Sequence, residues 1–425
     1  MAELIEIGEQ QERVILFAAS TNASDDTEES VEELRELVKT AGAETVGAVI
    51  QNRENIHPGT YLGKGKIQEL KEMVWETGAT GVVCDDELSP AQLKNLEDAL
   101  DTKVMDRTMI ILDIFAARAK TREGKIQVEL AQLRYRAVRL VGLRNSLSRL
   151  GGGIGTRGPG ETKLEVDRRR IHERISQLKS ELQDVERHRD VVRKQREQSG
   201  TRTAAIVGYT NAGKSTLLNK LTGAGILAED KLFATLDPTT RALTLPGGEK
   251  VLLTDTVGFI RKLPHHLIEA FRSTLEEAKY ADIILHVVDA SNPQMDEQMY
   301  TVYETLQNLG VKDKPVITVF NKIDRMEDTW VPRDLRADYH VKISAKTGEG
   351  ITRFLQSIEA VLRERKVEIE ALYPYKEAGK IQKIRKYGEL QEEEYREDGI
   401  FVRAFVPAEL YGQVRPEGVT PNNCL

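Results

Sequence analysis

The sequence is poor in cysteine and in aromatic residues, and it has no long apolar run. Among its 425 residues there are two cysteines, Cys84 and Cys424, and aromatic residues make up 5%. Two cysteines so far apart favour neither a disulfide framework nor a zinc site, and a reducing compartment is the natural interpretation. Because no apolar run reaches the roughly eighteen residues that a membrane-spanning helix needs, we expect no such helix.

The start of the chain is acidic where a secretory leader would be basic, since Glu3 and Glu6 stand in the segment MAELIE. We therefore expect a cytoplasmic protein and leave open a peripheral association with a membrane. Apolar residues at 40% and charged residues at 30% are typical of a globular chain. A chain of this length is expected to contain roughly two to four domains.

Positive charge is concentrated in one part of an otherwise acidic chain. The formal net charge is −7, which argues against a nucleic-acid partner for the chain as a whole. Residues 120–200, however, contain 20 Lys and Arg and 11 Asp and Glu, which is a net charge of +9. Two interpretations stay open at this point: a local contact with a polyanion, which arginine suits, or a solvated helical hairpin of mixed charge.

Residues 1–120 alternate short β-rich runs with amphipathic stretches, as four βα units would. The strands are expected near residues 14–17, 45–50, 81–84 and 103–105, and Ser89 and Pro90 predict the start of a helix. We therefore predict a small parallel α/β domain. The segment TYLGKGK at 60–66 lies in one βα connection, where it is either a tight turn or a phosphate contact through Lys64 and Lys66.

The sequence of residues 121–200 predicts a long helical hairpin. Apolar residues recur at three- and four-residue spacing from Ile126 to Val141, which predicts one helix over 124–150, and a second helix is expected over 164–198. The connection, GGGIGTRGPGET at 151–162, is glycine-rich and is flanked by basic residues. Because glycine permits close backbone approach, we favour a polyanion-binding tip over a flexible linker. The residues expected to make that contact are Arg149, Gly153, Arg157, Gly158 and Lys163.

The most informative stretch is GYTNAGKST at 208–216, which follows the apolar run 204–207 and begins a helical stretch. The pattern G-x-x-x-x-G-K-[ST] is typical of a phosphate-binding loop, whose backbone N–H groups surround phosphate oxygens at a helix N-terminus. We expect Lys214 to reach the terminal phosphates and Ser215 to ligate magnesium. The predicted loop residues are Gly208, Tyr209, Thr210, Asn211, Ala212, Gly213, Lys214, Ser215 and Thr216.

Three shorter motifs follow in the order expected of a guanine nucleotide site. DTVG at 255–258 supplies a carboxylate near magnesium and a glycine N–H near the terminal phosphate. NKID at 321–324 predicts guanine recognition, because the Asp324 carboxylate can accept both the ring N–H and the exocyclic amine. SAK at 344–346 fits the remaining loop around the base. The predicted residues are Asp255, Thr256, Val257, Gly258, Asn321, Lys322, Ile323, Asp324, Ser344, Ala345 and Lys346.

With these motifs the chain resembles the translational-factor type of GTPase, and three further segments resemble the HflX family of ribosome-associated GTPases. The segments are FATLDPTTR at 233–241, the glycine-rich block at 151–161 and TYLGKGK at 60–66. The resemblance implies that Thr235 is the switch threonine that ligates magnesium, with Thr239 and Thr240 as rivals for that role. It also implies that the nucleotide site includes Phe233, Ala234, Thr235, Leu236 and Asp237.

The resemblance implies a four-part organisation and a P-loop GTPase fold of the α/β class. An N-terminal α/β domain at 1–120 and a basic hairpin at 121–200 would precede a GTPase domain at 201–365 and a small α+β module at 366–425. The implied catalytic residues are Lys214, Thr235 and Gly258, and the implied metal ligands are Ser215 and Thr235. The expected cofactor is Mg²⁺, and the expected small-molecule partners are GTP and GDP.

The function that the resemblance implies is binding of the large ribosomal subunit and splitting of ribosomes under stress, with the hairpin tip reaching the peptidyl transferase region. We expect a monomer. The alternative is an RNA-binding GTPase in ribosome assembly or tRNA modification, in which the basic hairpin would bind free RNA.

One position departs from the Ras pattern, because Phe259 follows Gly258 where a water-orienting glutamine would be expected. A phenyl ring cannot polarise water, so the water-positioning group has to come from elsewhere. One candidate is a ribosomal element that orders residues 256–267. Another is K⁺ bound at Asn211, since related GTPases with asparagine in this loop use potassium, although for Asn211 a simple loop hydrogen bond is slightly favoured.

Overall fold

The computed structural model describes residues 11–21, 26–150, 163–198, 201–223, 232–264, 267, 272–326, 332–364 and 366–416. For residues 141–150, 163–164, 192, 196–198, 272–274 and 407–409 it describes the backbone alone. Among the described helices, none combines the length and the apolar composition that crossing a membrane requires.

The N-terminal domain is a parallel sheet covered by helices on both faces, as its βα alternation predicts. Strand β1 buries Leu16 on one face and Phe17 on the other, which is the period of two that a central strand requires. The sheet order is β2-β1-β3-β4, and its three strand pairs are all parallel. The elements are β1 (Arg13–Ser20), α1 (Thr27–Thr40), β2 (Glu44–Asn52), α2 (Lys64–Thr77), β3 (Gly81–Cys84), α3 (Pro90–Leu100), β4 (Lys103–Asp106) and α4 (Arg107–Arg118).

Side chains cap two of these helices at their N-termini, and the first of these caps was predicted at Ser89. Ser89 accepts a hydrogen bond from the Gln92 backbone N–H at 3.2 Å, and the Gln92 side chain accepts one from Ser89 N at 3.0 Å, which is a capping box. Asp106 caps α4 by accepting from Met109 N at 2.9 Å.

The helical hairpin consists of α5 (Arg122–Leu150) and α6 (Lys163–Gln198), as predicted. Ile126 and Leu130 of α5 pack with Leu178 of α6. Beside them the Arg174 guanidinium donates to both carboxylate oxygens of Glu129 at 2.8 and 2.9 Å. A bidentate ion pair of this kind fixes the register of the two helices and also attracts them to each other.

The central domain is a six-stranded sheet in the order β10-β9-β8-β5-β7-β6, with β6 antiparallel to β7 and the other pairs parallel. The carboxyl ends of the parallel strands therefore lie along one edge, where such sheets bind ligands. Its elements are β5 (Arg202–Gly208), α7 (Lys214–Thr222), β6 (Thr239–Thr244), β7 (Lys250–Asp255), α8 (Arg272–Tyr280), β8 (Ile283–Asp289), α9 (Met295–Asn308), β9 (Val316–Asn321), β10 (Tyr339–Lys342) and α10 (Ile351–Glu364).

The C-terminal module is an antiparallel sheet in the order β11-β13-β12, with two helices on one face. Ile381 and Ile384 of the first helix pack on Val402 and Ala404 of the central strand. The elements are β11 (Lys366–Tyr373), α11 (Ala378–Tyr387), β12 (Glu389–Arg396), β13 (Gly399–Pro407) and α12 (Ala408–Val414). This matches the α+β arrangement expected for the end of the chain.

A buried charge cluster joins the N-terminal domain to the central domain. Arg107 is 1% exposed, and its Nη1 lies 2.7 Å from Asp85 Oδ1, while its other terminal nitrogen pairs with Glu33. From the central domain, Lys262 Nζ lies 2.7 Å from Asp86 Oδ1 and also pairs with Asp85. Burying a carboxylate without a cation nearby would cost folding free energy. Arg107 therefore stabilises the Asp85 carboxylate after β3 and the Glu33 carboxylate in α1.

We expect Arg107→Ala to lower the free energy of unfolding by about 3–5 kcal/mol, because it leaves the Asp85 carboxylate buried and short of one cation. Urea denaturation at pH 7 measures this. Arg35→Ala is the matched control, since Arg35 makes an exposed pair with Glu32 within α1 and its loss should change stability by less than about 0.5 kcal/mol. Equal effects of the two substitutions would contradict the assignment.

Candidate nucleotide-binding site

The predicted phosphate loop connects β5 to α7, and its glycines are required by its geometry. Gly208 and Gly213 have φ values of +152° and +95°, which side-chain-bearing residues rarely adopt. A Cβ on Gly208 would lie 2.1 Å from Val287 O, and one on Gly213 would lie 2.2 Å from Asn321 Nδ2. Asn211 has φ +59°, a conformation that asparagine tolerates better than most residues.

A polar cavity opens between this loop and the segments around Thr235 and Gly258. Its lining residues come from three separate segments, 208–216, 233–237 and 255–258, all of which were predicted to contact the nucleotide. The lining residues are Thr210, Asn211, Gly213, Lys214, Ser215, Thr216, Phe233, Ala234, Thr235 and Gly258.

Three oxygen-bearing side chains converge at one side of the cavity and fit a magnesium ion. Ser215 Oγ lies 2.6 Å from Thr235 Oγ1 and donates to Asp255 Oδ2 at 2.8 Å. Asp255 is fully buried, and its Oδ1 has no hydrogen-bond partner among the described residues. Burial raises the pKa of Asp255, and the Lys214 ammonium opposes that rise. A hard divalent cation with oxygen ligands would satisfy this donor set.

Lys214 lies inside the loop that it is expected to serve. Its side chain is 6% exposed, and Nζ donates to the Tyr209 backbone carbonyl at 2.8 Å. Burial lowers the pKa of Lys214 to about 8, although the Asp255 carboxylate acts in the opposite direction. A cation so poorly solvated gains strongly from an anionic ligand, which is the condition for tight phosphate binding.

Asn321 joins the phosphate loop to the loop expected around the base. Its Nδ2 donates to Ala212 O at 2.9 Å, and its Oδ1 accepts from Ala345 N at 2.9 Å. The side chain of Ser344 donates to Asp324 Oδ1 at 2.6 Å, and this hydrogen bond lowers the pKa of Asp324, so the carboxylate is ionised at neutral pH. An ionised carboxylate is the acceptor that the guanine edge requires.

The remaining residues of the two base motifs surround Asp324. Lys322 is in a left-handed conformation and forms an ion pair with Asp289, Nζ to Oδ2 2.7 Å. Ile323 begins a short 3₁₀-helix that carries Asp324, and Lys346 follows Ala345 on the exposed side of the loop.

Phe259 is a core residue, which explains why it replaces a water-orienting side chain. It is 1% exposed, and its backbone pairs with the phosphate loop, with Thr210 N donating to Phe259 O at 2.7 Å and Phe259 N donating to Gly208 O at 3.1 Å. The preceding Gly258 has to be glycine, since a Cβ there would lie 2.8 Å from Thr210 Cα. Residues 259–264, the described part of the segment after Gly258, supply no side chain to the cavity, and Phe259 fixes the position of the backbone.

Position separates Thr235 from its two rivals, and its role as the switch threonine stays a prediction. Thr235 lines the cavity, whereas Thr239 and Thr240 belong to β6, and Thr240 Oγ1 lies 2.9 Å from Thr254 Oγ1. Phe233 N donates to Thr210 Oγ1 at 2.8 Å, which joins the Thr235 segment to the phosphate loop. Of the other residues in these two segments, Leu236 and Val257 are buried, and Thr256 donates to Ile206 O at 2.8 Å.

Two predictions of contact residues are not met in the cavity or stay predictions, namely Asp237 at the nucleotide and the RNA contacts of the hairpin tip. The Asp237 side chain does not line the cavity and instead accepts hydrogen bonds from the start of α5. The expected RNA contacts Gly153, Arg157 and Gly158 lie outside the described residues. Of Arg149 and Lys163, only the helical backbone is described.

Sequence reasoning missed a contact between the phosphate loop and the N-terminal domain. The Tyr209 hydroxyl accepts from Arg261 N at 2.8 Å and donates to the Glu33 carboxylate of α1. Arg261 itself pairs with Asp26 and Glu297. No motif signals a pairing between residues so far apart in the chain, so the sequence alone offered no means of finding it.

Comparisons with known proteins agree with this site. Family models match residues 28–116 (GTP-binding GTPase N-terminal), 118–196 (GTP-binding GTPase Middle Region) and 203–322 (50S ribosome-binding GTPase). A GTPase HflX from Lacrimispora saccharolytica is 72% identical over 414 residues, which cover 97% of this chain and 98% of that protein. The chain belongs to the HflX family of GTPases.

A second relative supports the same assignment, and a solved structure is similar. The GTPase HflX of Escherichia coli K12 is 46% identical over 334 residues, 78% of each chain. A crystal structure of a GTP-binding protein from Sulfolobus solfataricus in complex with GDP is similar at 24% identity and a TM-score of 0.43, over 83% of this chain and 98% of that one. The predictions of family, fold class and GTPase activity are thus confirmed, and the description of the third family model supports an association with ribosomes.

The affinity of the free protein for GTP should fall as the pH rises from 7 to 9. The reason is that Lys214, with its pKa lowered to about 8, loses its charge in this range, and binding the phosphates then requires uptake of a proton. The loss should approach about tenfold per pH unit above pH 8. Fluorescence titration with a labelled GTP analogue measures it.

Lys214→Arg is the control for this titration. Because a guanidinium stays charged throughout the range, any pH dependence left in that variant belongs to the nucleotide. Identical pH profiles for the parent and for Lys214→Arg would show that Lys214 does not titrate near pH 8.

Proposed function

We propose that this GTPase binds the large ribosomal subunit in its GTP-bound form and dissociates ribosomes, and that hydrolysis to GDP and phosphate releases it. The observation that supports this most is the attachment of the basic hairpin to the central domain that carries the nucleotide site. Arg193 of α6 lies 3.4 Å from Glu277 of α8, and Arg189 lies 3.9 Å from the same carboxylate. Since α8 comes soon after the segment 256–264, a change at the terminal phosphate has a short path to the RNA-binding hairpin.

The catalytic groups of the chain act by position and charge. Lys214 binds the terminal phosphate oxygens and balances negative charge that develops during attack by water, and the phosphate-loop amides donate to the same oxygens. Ser215 and Thr235 are the side chains that would hold Mg²⁺, which supplies Lewis-acid stabilisation of the phosphates when bound. The Gly258 N–H reports the terminal phosphate to the residues that follow it.

Hydrolysis by the free protein is slow in this account, because Phe259 is buried and places no polar group near the attacking water. Contact with the ribosome supplies that group by ordering residues 256–267. In the cytoplasm the enzyme would therefore keep its GTP until it meets a ribosomal particle.

Light scattering of intact ribosomes tests the proposal. The parent protein with a non-hydrolysable GTP analogue should lower the scattering as subunits separate, whereas GDP and the Lys214→Ala variant should leave it unchanged. Binding to free RNA as strong as binding to large subunits, with no change in scattering, would contradict ribosome splitting and would favour the assembly or tRNA-modification alternative.

We expect Arg157→Ala to weaken large-subunit binding while leaving intrinsic GTP turnover intact. If Arg157 neutralises one phosphate, its removal should reduce the slope of log affinity against log salt by about 1. Sedimentation with large subunits at several salt concentrations measures this slope. Arg187→Ala is the control, since Arg187 is exposed on α6 and pairs with Asp184. Unchanged binding by Arg157→Ala would show that the hairpin tip does not contact RNA.

Asn211 provides a test of potassium as a second cation. If Asn211 helps to bind K⁺, replacing K⁺ by Na⁺ should slow turnover in the parent and have no effect in Asn211→Ala. Steady-state phosphate release at constant ionic strength is the measurement. Equal rates in the two salts for the parent would leave Asn211 with a loop hydrogen bond as its role.

A further inference from the structure

Asp237 lies two residues after Thr235, yet its carboxylate is bound at the start of the hairpin. Asp237 Oδ2 accepts from Lys120 N and Thr121 N, both at 2.9 Å, and Oδ1 accepts from the Thr121 hydroxyl. Thr121 in turn accepts from Gly124 N at 2.9 Å through the same oxygen. A carboxylate that accepts several backbone N–H groups at a helix N-terminus is strongly favoured by charge and by the helix dipole.

The fit around this carboxylate is tight. A Cβ added to Gly124 would lie 2.3 Å from Asp237 Oδ1, so a side chain at position 124 would displace the carboxylate from its donors. Gly124 is in the first turn of α5, where glycine lowers helix stability. Its presence there is explained by the space that Asp237 requires.

The other end of the same segment is bound to the helix that precedes the hairpin. Phe233 is 1% exposed, and its ring meets that of Phe115 in α4 edge to face, with centroids 4.8 Å apart. Between these two attachments, Thr235 contacts Ser215 in the cavity. Residues 233–237 therefore connect the cavity at their centre to the junction of α4 and α5 at both ends.

A second attachment lies at the other helix of the hairpin. The Arg193 guanidinium stacks on the Tyr280 ring at 3.5 Å from its centroid, next to the Arg193–Glu277 pair. This contact does not involve the segment that carries Thr235. The hairpin is thus attached to the central domain at two places. Asp237 connects it to the segment that carries Thr235, and Arg193 connects it to α8.

We propose that Asp237 is a positioning residue that transmits the position of Thr235 to the start of α5, so that the nucleotide state sets how ordered residues 120–124 are. The proposal rests on the proposed function in one respect, namely that Thr235 responds to the terminal phosphate. When Thr235 is drawn to the metal and phosphate, Asp237 stays bound to residues 120–121. When Thr235 is released, Asp237 withdraws, and the backbone N–H groups of Lys120 and Thr121 at the entry to α5 lose their acceptor.

Amide hydrogen exchange of the full-length protein tests this without ribosomes. With Mg²⁺ and a non-hydrolysable GTP analogue, amides 120–124 of the parent should exchange about tenfold more slowly than with GDP, which is the effect expected of losing a helix-capping carboxylate. Asp237→Asn should exchange rapidly with both nucleotides. Gly124→Ala should behave in the same way, because it displaces an intact carboxylate.

Asp184→Asn is the matched control, since Asp184 is exposed on α6 and pairs with Arg187 of the same helix, so it should keep the parent pattern. If amides 232–236 of the parent respond to nucleotide while 120–124 do not, the role given to Asp237 is overturned and the proposed function is untouched. If neither segment responds, the switch role of Thr235 fails and the role of Asp237 fails with it. Persistent slow exchange in Asp237→Asn with the GTP analogue would likewise overturn the inference.

Discussion

The burial of two phenylalanines, one on each side of the phosphate loop, is the constraint on which the rest of the structure depends. Phe233 and Phe259 are each 1% exposed and belong to one continuous core that also contains Phe115 of the N-terminal domain and Val128 of the hairpin. A shared core of this kind means that the two segments that line the cavity around Thr235 and Gly258 cannot move without disturbing packing elsewhere. The same constraint accounts for the missing glutamine, because position 259 serves packing.

Polar contacts around this core have a consistent arrangement. Glu33 and Asp85 of the N-terminal domain accept from Tyr209, Arg107 and Lys262, so the phosphate loop and the segment after Gly258 are both bound to the acidic edge of the first sheet. Asp237 is a carboxylate of the central domain, and it accepts a hydrogen bond from the start of the hairpin. The segments around the cavity are thus connected by short paths to both the N-terminal domain and the hairpin.

The sequence predicted a large part of this structure because periodicity and motifs report local geometry. The alternation of strands and helices, the two long helices and the glycine-dependent loop at 208–216 were all visible in it. It did not predict that Tyr209 binds Glu33 or that Asp237 binds residues 120–121, since these contacts depend on how separate domains pack. It also left Thr235, Thr239 and Thr240 as alternatives, which only the path of β6 distinguishes.

Thermodynamic reciprocity gives the most direct test of the central claim that one guanine nucleotide site controls ribosome binding. If GTP favours the subunit-binding state, large subunits must raise the affinity for GTP by the same factor. We would titrate a labelled GTP analogue and labelled GDP into the protein with and without saturating large subunits. The account predicts that large subunits tighten binding of the GTP analogue and leave binding of GDP unchanged. An equal effect of the subunits on both nucleotides would contradict it.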